Sequence, residues 1–115
     1  MLNQIVLIGR LTRDVTVNKT KNDKDIGTLG IAVPRSFKNA DGVYETDFID
    51  VTAYDGIVTN TSLYCKKGDL IGVKGRLESQ QYEDKDGEKR NRIIPVAEKV
   101  TFLSSKAKEE PEPER

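Results

Sequence analysis

The sequence contains no histidine, so it lacks the side chain that most often acts as a general base near neutral pH. Ser-His and Cys-His nucleophilic pairs and histidine metal ligands are absent for the same reason. The single cysteine, Cys65, can form neither an internal disulfide nor a structural zinc site. No phosphate-binding G-x-x-x-x-G-K-[ST] loop occurs, and no spacing singles out a catalytic carboxylate pair. We therefore expect a protein that is not an enzyme and that carries no metal or cofactor.

An excess of positive charge is also missing, because 19 basic residues are balanced by 19 acidic residues. A strongly basic nucleic-acid binder is therefore excluded, and any electrostatic attraction to phosphate must come from a local patch. The longest apolar stretch near the N-terminus, residues 5–8, is far too short to span a bilayer. With one cysteine and no signal-peptide pattern, the sequence favours a cytoplasmic protein without membrane association.

Short segments with alternating apolar side chains, separated by turn signals, predict an all-β domain. The predicted strands cover residues 4–9, 27–33, 44–54, 70–83 and 89–98. Residues 15–20 and 100–103 are expected to add short extensions to the sheet. Five short strands with glycines at points of sharp bending match a Greek-key barrel of the OB type, in which closure removes most exposed sheet edges. We predict this fold for residues 1–103.

The hydrophobic period changes between Gly56 and Gly68, which predicts one short helix between the third and fourth strands. Phe102, in the last extension of the sheet, is expected to be a core residue. The helical side chains expected to pack on the barrel are Ile57, Leu63, Tyr64 and Cys65.

Two polar segments that contain Asp-Gly, residues 39–42 and 84–87, are predicted to form the turns of hairpins. The second of them resembles the start of a calcium loop, but it lacks the remaining ligands of such a loop. Residues 104–115 are charged and contain prolines, a composition that predicts a disordered tail.

Aromatic rings occupy the outward face of two predicted strands. In the third strand the core face consists of Ile49, Val51 and Ala53. The opposite face of that strand consists of Phe48, Asp50, Thr52 and Tyr54. In the fourth strand the core face consists of Ile71, Val73, Gly75 and Leu77. The opposite face of the fourth strand consists of Lys74, Arg76, Glu78, Gln80 and Tyr82. Rings among charged side chains, on a sheet with a separate apolar face, are typical of a platform on which unpaired bases stack.

Four segments together resemble the bacterial and phage single-stranded DNA-binding proteins of the OB-fold kind. The segments are MLNQIVLIGRLTRD, AVPRSFKNADGVYETDFIDV, YCKKGDLIGVKGRL and QQYEDKDGEK, and the resemblance extends from residue 1 to about residue 103. It implies a nucleoid-associated protein that binds single-stranded DNA in replication, recombination and repair. Because each chain has one barrel, the resemblance also implies a homotetramer.

The resemblance implies base stacking at the hairpin after the second strand, twice on the third strand, and near the end of the fourth. The matching residues are Phe37, Phe48, Tyr54 and Tyr82. The resemblance does not mark Tyr44, which shares the phase of Phe48. Basic side chains near these rings are expected to contact phosphates. The candidates are Lys74, Arg76, Arg35, Lys38, Arg10 and Arg13.

The sequence departs from the family pattern at several positions. Stacking sites that often hold tryptophan have only Phe and Tyr here. Asp50 and Asp55 occur where a neutral or basic residue is common, and their carboxylates are expected to repel phosphate. The resemblance also implies replication and repair proteins as partners. Family members that recruit them end in an acidic tip with a terminal apolar pair, whereas this sequence ends EPEPER.

Two other functions fit an OB-type barrel. One is a protein-interaction subunit of a primosome-like assembly, in which the outward rings would be buried against a partner protein. The other is an RNA-binding barrel of the cold-shock kind. This second reading is disfavoured, because the chain is longer than such domains and lacks their tight aromatic cluster on adjacent strands.

Overall fold

The computed structural model describes residues 1–104, which form an all-β structure with one short helix. The elements in chain order are β1 Ile5–Leu11, β2 Asn18–Lys19, β3 Asp25–Lys38, β4 Tyr44–Tyr54, α1 Asp55–Tyr64, β5 Leu70–Glu83 and β6 Lys89–Ser104. The predicted strands and the helix are all present, although β3 and β6 are longer than expected. The predicted tail, residues 104–115, lies outside the described residues except for Ser104, which ends β6.

The long strands close into a five-stranded barrel. Strand β1 pairs antiparallel with β5, β5 with β6, and β3 with β4, while β6 and β4 meet in a parallel bridge at Thr52 and Val96. Pairing of Arg10 with Ala32 and of Leu11 with Ile31 joins β1 to β3 and completes the closure. The two-residue strand β2 adds to the edge of β3. This arrangement confirms the predicted OB-type barrel.

Alternating side chains fill the interior of the barrel, as the sequence pattern predicts. The core residues include Leu29 and Ile31 of β3 and Val51 and Ala53 of β4, all with 0% exposure. Burying one such aliphatic side chain stabilises the fold by about 1.5–3 kcal/mol. Strand β5 supplies Ile71 and Val73 on the same inner face, in the phase expected from the sequence.

Gly75 allows β5 to pass very close to β6. A Cβ atom at this position would lie 2.0 Å from the backbone oxygen of Val96. Any residue other than glycine would therefore clash with β6 unless the backbone shifted. The close approach occurs where the β5–β6 register shifts, since Lys74 pairs with Lys99 and Gly75 pairs with Ala97. The shift leaves Glu98 as an extra residue on β6, which is a β-bulge.

Strand β5 leaves the barrel beyond Gly75. Its last partner on β1 is Ile5, opposite Gly75, and from there to Glu83 it pairs with β6 alone. Leu77, expected on the core face, is therefore 42% exposed, and that prediction is wrong. The β5–β6 hairpin beyond Gly75 is called the arm below.

Helix α1 packs on the barrel partly as predicted, because Ile57 packs against the core and Cys65, just after the helix, belongs to it. Val58 and Thr61 have 0% exposure and Cys65 is also buried, a spacing of three and four residues along one face. The Thr61 hydroxyl donates to the Ile57 carbonyl oxygen at 2.7 Å, which satisfies it inside the core. Leu63, by contrast, is 74% exposed. The predicted burial of Leu63 is wrong because the helix turns Val58 and Thr61 toward the barrel, and the polar Thr61 is not recognisable as a buried residue from an apolar pattern.

The prediction that Tyr64 and Phe102 belong to the core is also wrong. Both are exposed, and their rings contact each other at the surface with centroids 6.0 Å apart. The helix ends at Tyr64, before Lys66 and Lys67, so its last turn contains no basic residue. No helix within residues 1–104 is long and apolar enough to cross a membrane.

The two predicted hairpin turns have the same construction. In the β3–β4 turn, Oδ1 of Asn39 accepts from the backbone N–H groups of Asp41 and Val43. In the arm, Oδ1 of Asp84 accepts from the backbone N–H groups two and four residues later. Gly42 and the equivalent glycine of the arm have positive φ, which this turn requires and glycine adopts without strain. The prediction of hairpin turns is confirmed.

Candidate nucleic-acid interface

Phe48 lies on the outer face of β4 with its ring 75% exposed. The register places Ala32 of β3 directly opposite Phe48, and Arg10 of β1 directly opposite Ala32. Directly opposed residues share one face of a sheet, so a ring, a small side chain and a cation follow one another across three strands. The small side chain of Ala32 leaves the flank of the Phe48 ring open. Arg10 also donates through Nη1 to the Gly68 carbonyl oxygen at 3.0 Å.

A second row of opposed residues connects β4 to the base of the arm. Thr28 lies opposite Thr52, Thr52 lies opposite Val96, and Val96 lies opposite Arg76. Arg76 therefore shares the outer face that carries Phe48, as the alternation in the sequence predicts. Tyr54 follows two residues after Thr52 on this face and is half-buried.

The Arg13 side chain crosses β3 at Gly30, between the row that contains Phe48 and the row that contains Thr52. Its Nη2 atom is 3.2 Å from Oδ1 of Asp50, which shares the outer face of β4 with Phe48. The space that Arg13 occupies depends on Gly30, which lies opposite Asp50. A Cβ atom at Gly30 would lie 2.5 Å from Nη1 of Arg13, so a larger residue would displace the guanidinium. Arg13 offsets the negative charge that the sequence places on this surface.

The β3–β4 hairpin carries Phe37, which is 63% exposed. Pairing is regular up to Pro34 and resumes at Lys38 opposite Tyr44, and the irregular stretch between them holds Phe37. The ammonium of Lys38 lies 5.6 Å from the centroid of the Tyr44 ring, within cation–π range. The β3–β4 hairpin thus carries two exposed rings, Phe37 and Tyr44, and the second of them has a cation next to it.

Arg35, in the same irregular stretch, contacts two carboxylates. Nη1 of Arg35 is 2.7 Å from Glu45, and Nη2 is 2.9 Å from Oδ1 of Asp47. The hydrogen bond from Arg35 to Asp47 lowers the pKa of that carboxyl below its ordinary value. The carboxylate is therefore ionised throughout the neutral range, and Arg35 is held between two negative charges.

Arg76 has a matching arrangement at the base of the arm. Nη2 of Arg76 is 2.7 Å from Glu78, and Nη1 is 3.3 Å from Glu98, the extra residue of the β-bulge. Lys74, two residues earlier on the same face, is exposed. Within residues 1–104 Lys74 has no ion-pair partner, and it lies opposite Val6 of β1, beside a shallow apolar pocket.

Tyr82 lies near the tip of the arm and is 44% exposed. The guanidinium carbon of Arg92 lies 5.4 Å from the centroid of its ring. Arg90, opposite Tyr82 in the register, has its Nε atom 3.0 Å from Oδ2 of Asp84. Arg90 is the main cause of the lowered pKa of Asp84, with the turn N–H groups adding to it. Near its tip the arm thus carries the Tyr82 ring, the ion-paired Arg90, and Arg92 within cation–π distance of the ring.

The structure distributes the ten predicted site residues over the barrel, the β3–β4 hairpin and the arm. Phe48, Tyr54, Arg76, Arg10 and Arg13 lie on the outer face of the barrel, and Lys74 lies opposite Val6 of β1. The β3–β4 hairpin carries Phe37, Arg35 and Lys38, and the arm carries Tyr82. Arg35 contacts Glu45 and Asp47, which alternate with Phe48 and therefore lie on the other face of β4. The sequence reasoning missed Arg92. Counting outward from the Asp86-Gly87 turn pairs Gln80 with Arg92, and this register is the signal that would have found it.

The described residues show little capacity for other chemistry. No group of three or more His, Cys, Asp or Glu side chains within residues 1–104 could hold a metal ion. Burial raises the pKa of the Cys65 thiol, with the Asp69 carboxylate adding to the effect. Because the thiolate is the nucleophilic form, Cys65 is a structural residue of the core. The surface with exposed rings and cations is the candidate functional site.

Known sequences similar to this chain are single-stranded DNA-binding proteins, in agreement with the exposed rings and cations of the surface. The profile described as "Single-strand binding protein family" matches residues 2–103. The chain belongs to this family. Single-stranded DNA-binding protein 2 of Staphylococcus aureus strain Mu50 is 44% identical over 106 residues, which cover 92% of this chain and 75% of that protein. Single-stranded DNA-binding protein B of Bacillus subtilis strain 168 is 38% identical over 109 residues, with 95% and 96% coverage. Single-stranded DNA-binding protein 1 of Lactococcus lactis is 41% identical over 105 residues, with 91% and 70% coverage.

The match to the single-strand binding protein family covers nearly all the residues that the structure describes. The matched residues 2–103 contain the barrel face, the β3–β4 hairpin and the arm. The resemblance to this family that the sequence motifs indicated is therefore confirmed.

Proposed function

We propose that this chain binds single-stranded DNA by stacking unpaired bases on exposed rings of its outer surface. The observation that carries the proposal is the 75% exposure of Phe48 on a sheet whose inner face is fully packed. The other stacking residues are Tyr54, Tyr82 and Phe37. Each base–ring stack contributes about 1–3 kcal/mol, and the binding tolerates any base because every base has a π face.

Selectivity for single strands follows from this mode of binding. A duplex buries its base faces against one another, so exposed rings have nothing to stack on. Phosphate contacts come from Lys74 and Lys38 and from the arginines Arg10, Arg13, Arg35, Arg76 and, from the structure, Arg92. These contacts make affinity fall with salt, because phosphate neutralisation releases condensed cations. The chain acts by binding and does not catalyse a reaction.

We further propose that the chain assembles as a homotetramer. Strand β1 leaves Val6 and Ile8 exposed by 64% and 56% on its outer face, and Leu103 of β6 lies beside them around a shallow apolar pocket. A soluble monomer seldom exposes neighbouring aliphatic side chains of this size on a flat sheet. In addition, β1 pairs with β3 only at Arg10 and Leu11, so residues 5–9 have an unpaired edge. Both features fit association between copies of this chain.

The role that fits such a binder is protection of single strands in replication, recombination and repair in the cytoplasm, at the nucleoid. Proteins of these processes are the expected partners. The names of the family relatives, single-stranded DNA-binding proteins, support the binding on which this proposed role rests.

The proposal is tested by fluorescence anisotropy of a labelled dT oligomer titrated with the full chain, with a duplex of equal length as the control. Tight binding to the oligomer and weak binding to the duplex, both measured at two salt concentrations, is the expected result. Absent or equal binding of the two DNA forms would refute the proposal. It would instead assign the exposed rings to a contact with another protein, as in a primosome-like assembly.

A further inference from the structure

Two arginines of the proposed DNA-binding surface are each held between two carboxylates. Arg35 lies 2.7 Å from Glu45 and 2.9 Å from Asp47, and Arg76 lies 2.7 Å from Glu78 and 3.3 Å from Glu98. In each group one member lies where the sheet register is irregular: Arg35 between Pro34 and Lys38 of β3, and Glu98 at the β6 bulge. A bulge turns a side chain in a direction that regular pairing does not allow. The irregular backbone thus contributes one contact to each group, while Asp47 and Glu78 are regularly paired strand residues.

We propose that these four carboxylates make the surface selective for single-stranded DNA by competing with phosphate for Arg35 and Arg76. The inference rests on the proposed function. The carboxylates act as specificity residues that weaken duplex binding more than they weaken binding of a single strand. The residues are Glu45, Asp47, Glu78 and Glu98.

The two DNA forms depend on the arginines to different degrees. A single strand gains most of its affinity from stacking on rings, a contribution that carboxylates do not oppose. A duplex presents phosphates and no open base faces, so its affinity for this surface depends on cations alone. Before Arg35 or Arg76 can bind a phosphate it must leave two carboxylates, which then lie next to that phosphate and repel it. The carboxylates thereby lower the affinity for the competing duplex, and weakening a competitor is one way to obtain specificity.

Cations without this competition remain for the single strand. Lys74 on the barrel face has no ion-pair partner within the described part of the chain, and neither does Arg92 on the arm. Arg92 lies against the Tyr82 ring, whereas Lys74 lies opposite Val6 on the outer face of β5. Arg92 is thus a cation that is free to bind phosphate next to a stacking position, where a single strand places its backbone.

The test compares wild type with the double variant Glu45→Gln/Asp47→Asn in the full chain. We expect the variant to bind duplex about tenfold more tightly at low salt, the gain of a charge-assisted hydrogen bond to phosphate. The affinity for a dT oligomer should change less than about threefold. The salt slope for duplex should steepen by about 0.9, which is an extra affinity loss of about 3.5-fold between about 50 and about 200 mM salt.

A matched control neutralises two carboxylates that lie near a cation outside the proposed surface. Lys19 of β2 lies 2.7 Å from Asp25, and Asp23 adds to the electrostatic effect that raises the Lys19 pKa. The variant Asp23→Asn/Asp25→Asn has the same change in net charge as the test variant. It is expected to leave the ratio of duplex to single-strand affinity unchanged. Glu78→Gln/Glu98→Gln is the second test variant and gives the same readout if the first fails to fold.

Three outcomes separate the two claims. A lowered discrimination in the test variants alone supports the inference. Equal tightening of both DNA forms, equal effects in the control, or no change in the ratio would overturn it while the proposed function stands. Failure of the wild type to bind the dT oligomer would overturn the proposed function itself.

Discussion

The guanidinium carbon of Arg92 lies 5.4 Å from the centroid of the Tyr82 ring, so the arm presents a cation and a ring as one unit. A stacked base on Tyr82 would leave its phosphate within reach of a nearby positive charge. The contact also restricts the motion of both side chains before DNA arrives, which lowers the entropy lost on binding.

We predict that Tyr82→Ala weakens binding to a dT oligomer by about 5- to 150-fold, the equivalent of a stack of about 1–3 kcal/mol. Arg92→Ala should cost less, up to about fivefold, because it removes one exposed charge next to the phosphate, a contribution of about 1 kcal/mol or less. Asn91→Ala, on the other face of the same strand, is the matched control and should bind like wild type. Anisotropy titrations measure all three. A loss in Asn91→Ala as large as in Tyr82→Ala would mean that the arm is merely disrupted.

The carboxylate of Asp55, at the junction of β4 and α1, is expected to repel phosphate, so its removal should tighten binding. Asp55 has φ of 54°, a conformation that asparagine tolerates better than most residues, so Asp55→Asn is the suitable variant. We expect affinity for a dT oligomer to rise up to about fivefold, since unit charges 4 Å apart in water interact by about 1 kcal/mol. The salt slope should also steepen.

Asp23 gives a control with the same backbone conformation, because it is exposed and has φ of 62°. Asp23→Asn should leave binding unchanged. If Asp55→Asn gave an unchanged affinity and slope, Asp55 would have to be removed from the DNA-binding surface.

The apolar outer face of β1 should hold the proposed tetramer together. Ile8→Glu places a charge in the centre of this face and is expected to shift the protein to smaller species, measured by light scattering coupled to size exclusion. Leu63→Glu is the control, because Leu63 is 74% exposed on α1, away from β1. A tetramer that persists in Ile8→Glu, or a wild type that is monomeric at micromolar concentration, would contradict the proposed assembly.

Two glycine substitutions should change stability in opposite directions. Gly75→Ala forces a Cβ atom against the Val96 carbonyl, 2.0 Å away, and we expect a loss of about 1–3 kcal/mol in the free energy of unfolding. Gly56→Ala in α1 meets no atom within 4 Å and should stabilise by about 0.4–1 kcal/mol, because alanine restricts the unfolded chain. Urea denaturation measures both. Equal effects of the two substitutions would mean that β5 and β6 are less close than described.

Local sequence pattern predicted the features that depend on one strand or one turn. Alternation placed Phe48 outward and Val51 inward, and this assignment needs no knowledge of neighbouring strands. The Asp-Gly hairpin of the arm likewise follows from a few adjacent residues. Such features depend on the backbone geometry of a single segment, so the residues that determine them are contiguous.

Features that depend on how segments meet were not predictable in the same way. The contact of Arg76 with Glu98 requires the bulge that shifts β6 against β5, and no local pattern marks it. The exposure of Leu77 results from the loss of β1 as a neighbour beyond Gly75. The buried face of α1 includes Thr61, whose hydroxyl donates to the helix backbone and can therefore be buried. Because threonine is a polar residue type, the apolar pattern of the sequence does not mark this position as buried.

Replacement of one exposed ring is the sharpest test of base stacking on the outer face of the barrel. Phe48→Ala and Tyr64→Ala each remove a ring that is at least 69% exposed, the first from the proposed surface and the second from α1. Anisotropy with a dT oligomer, together with thermal unfolding, is the measurement. We expect Phe48→Ala to weaken binding by about 5- to 150-fold with a nearly unchanged Tm, and Tyr64→Ala to bind like wild type. Unchanged affinity in Phe48→Ala, or a large fall in its Tm, would refute base stacking on Phe48.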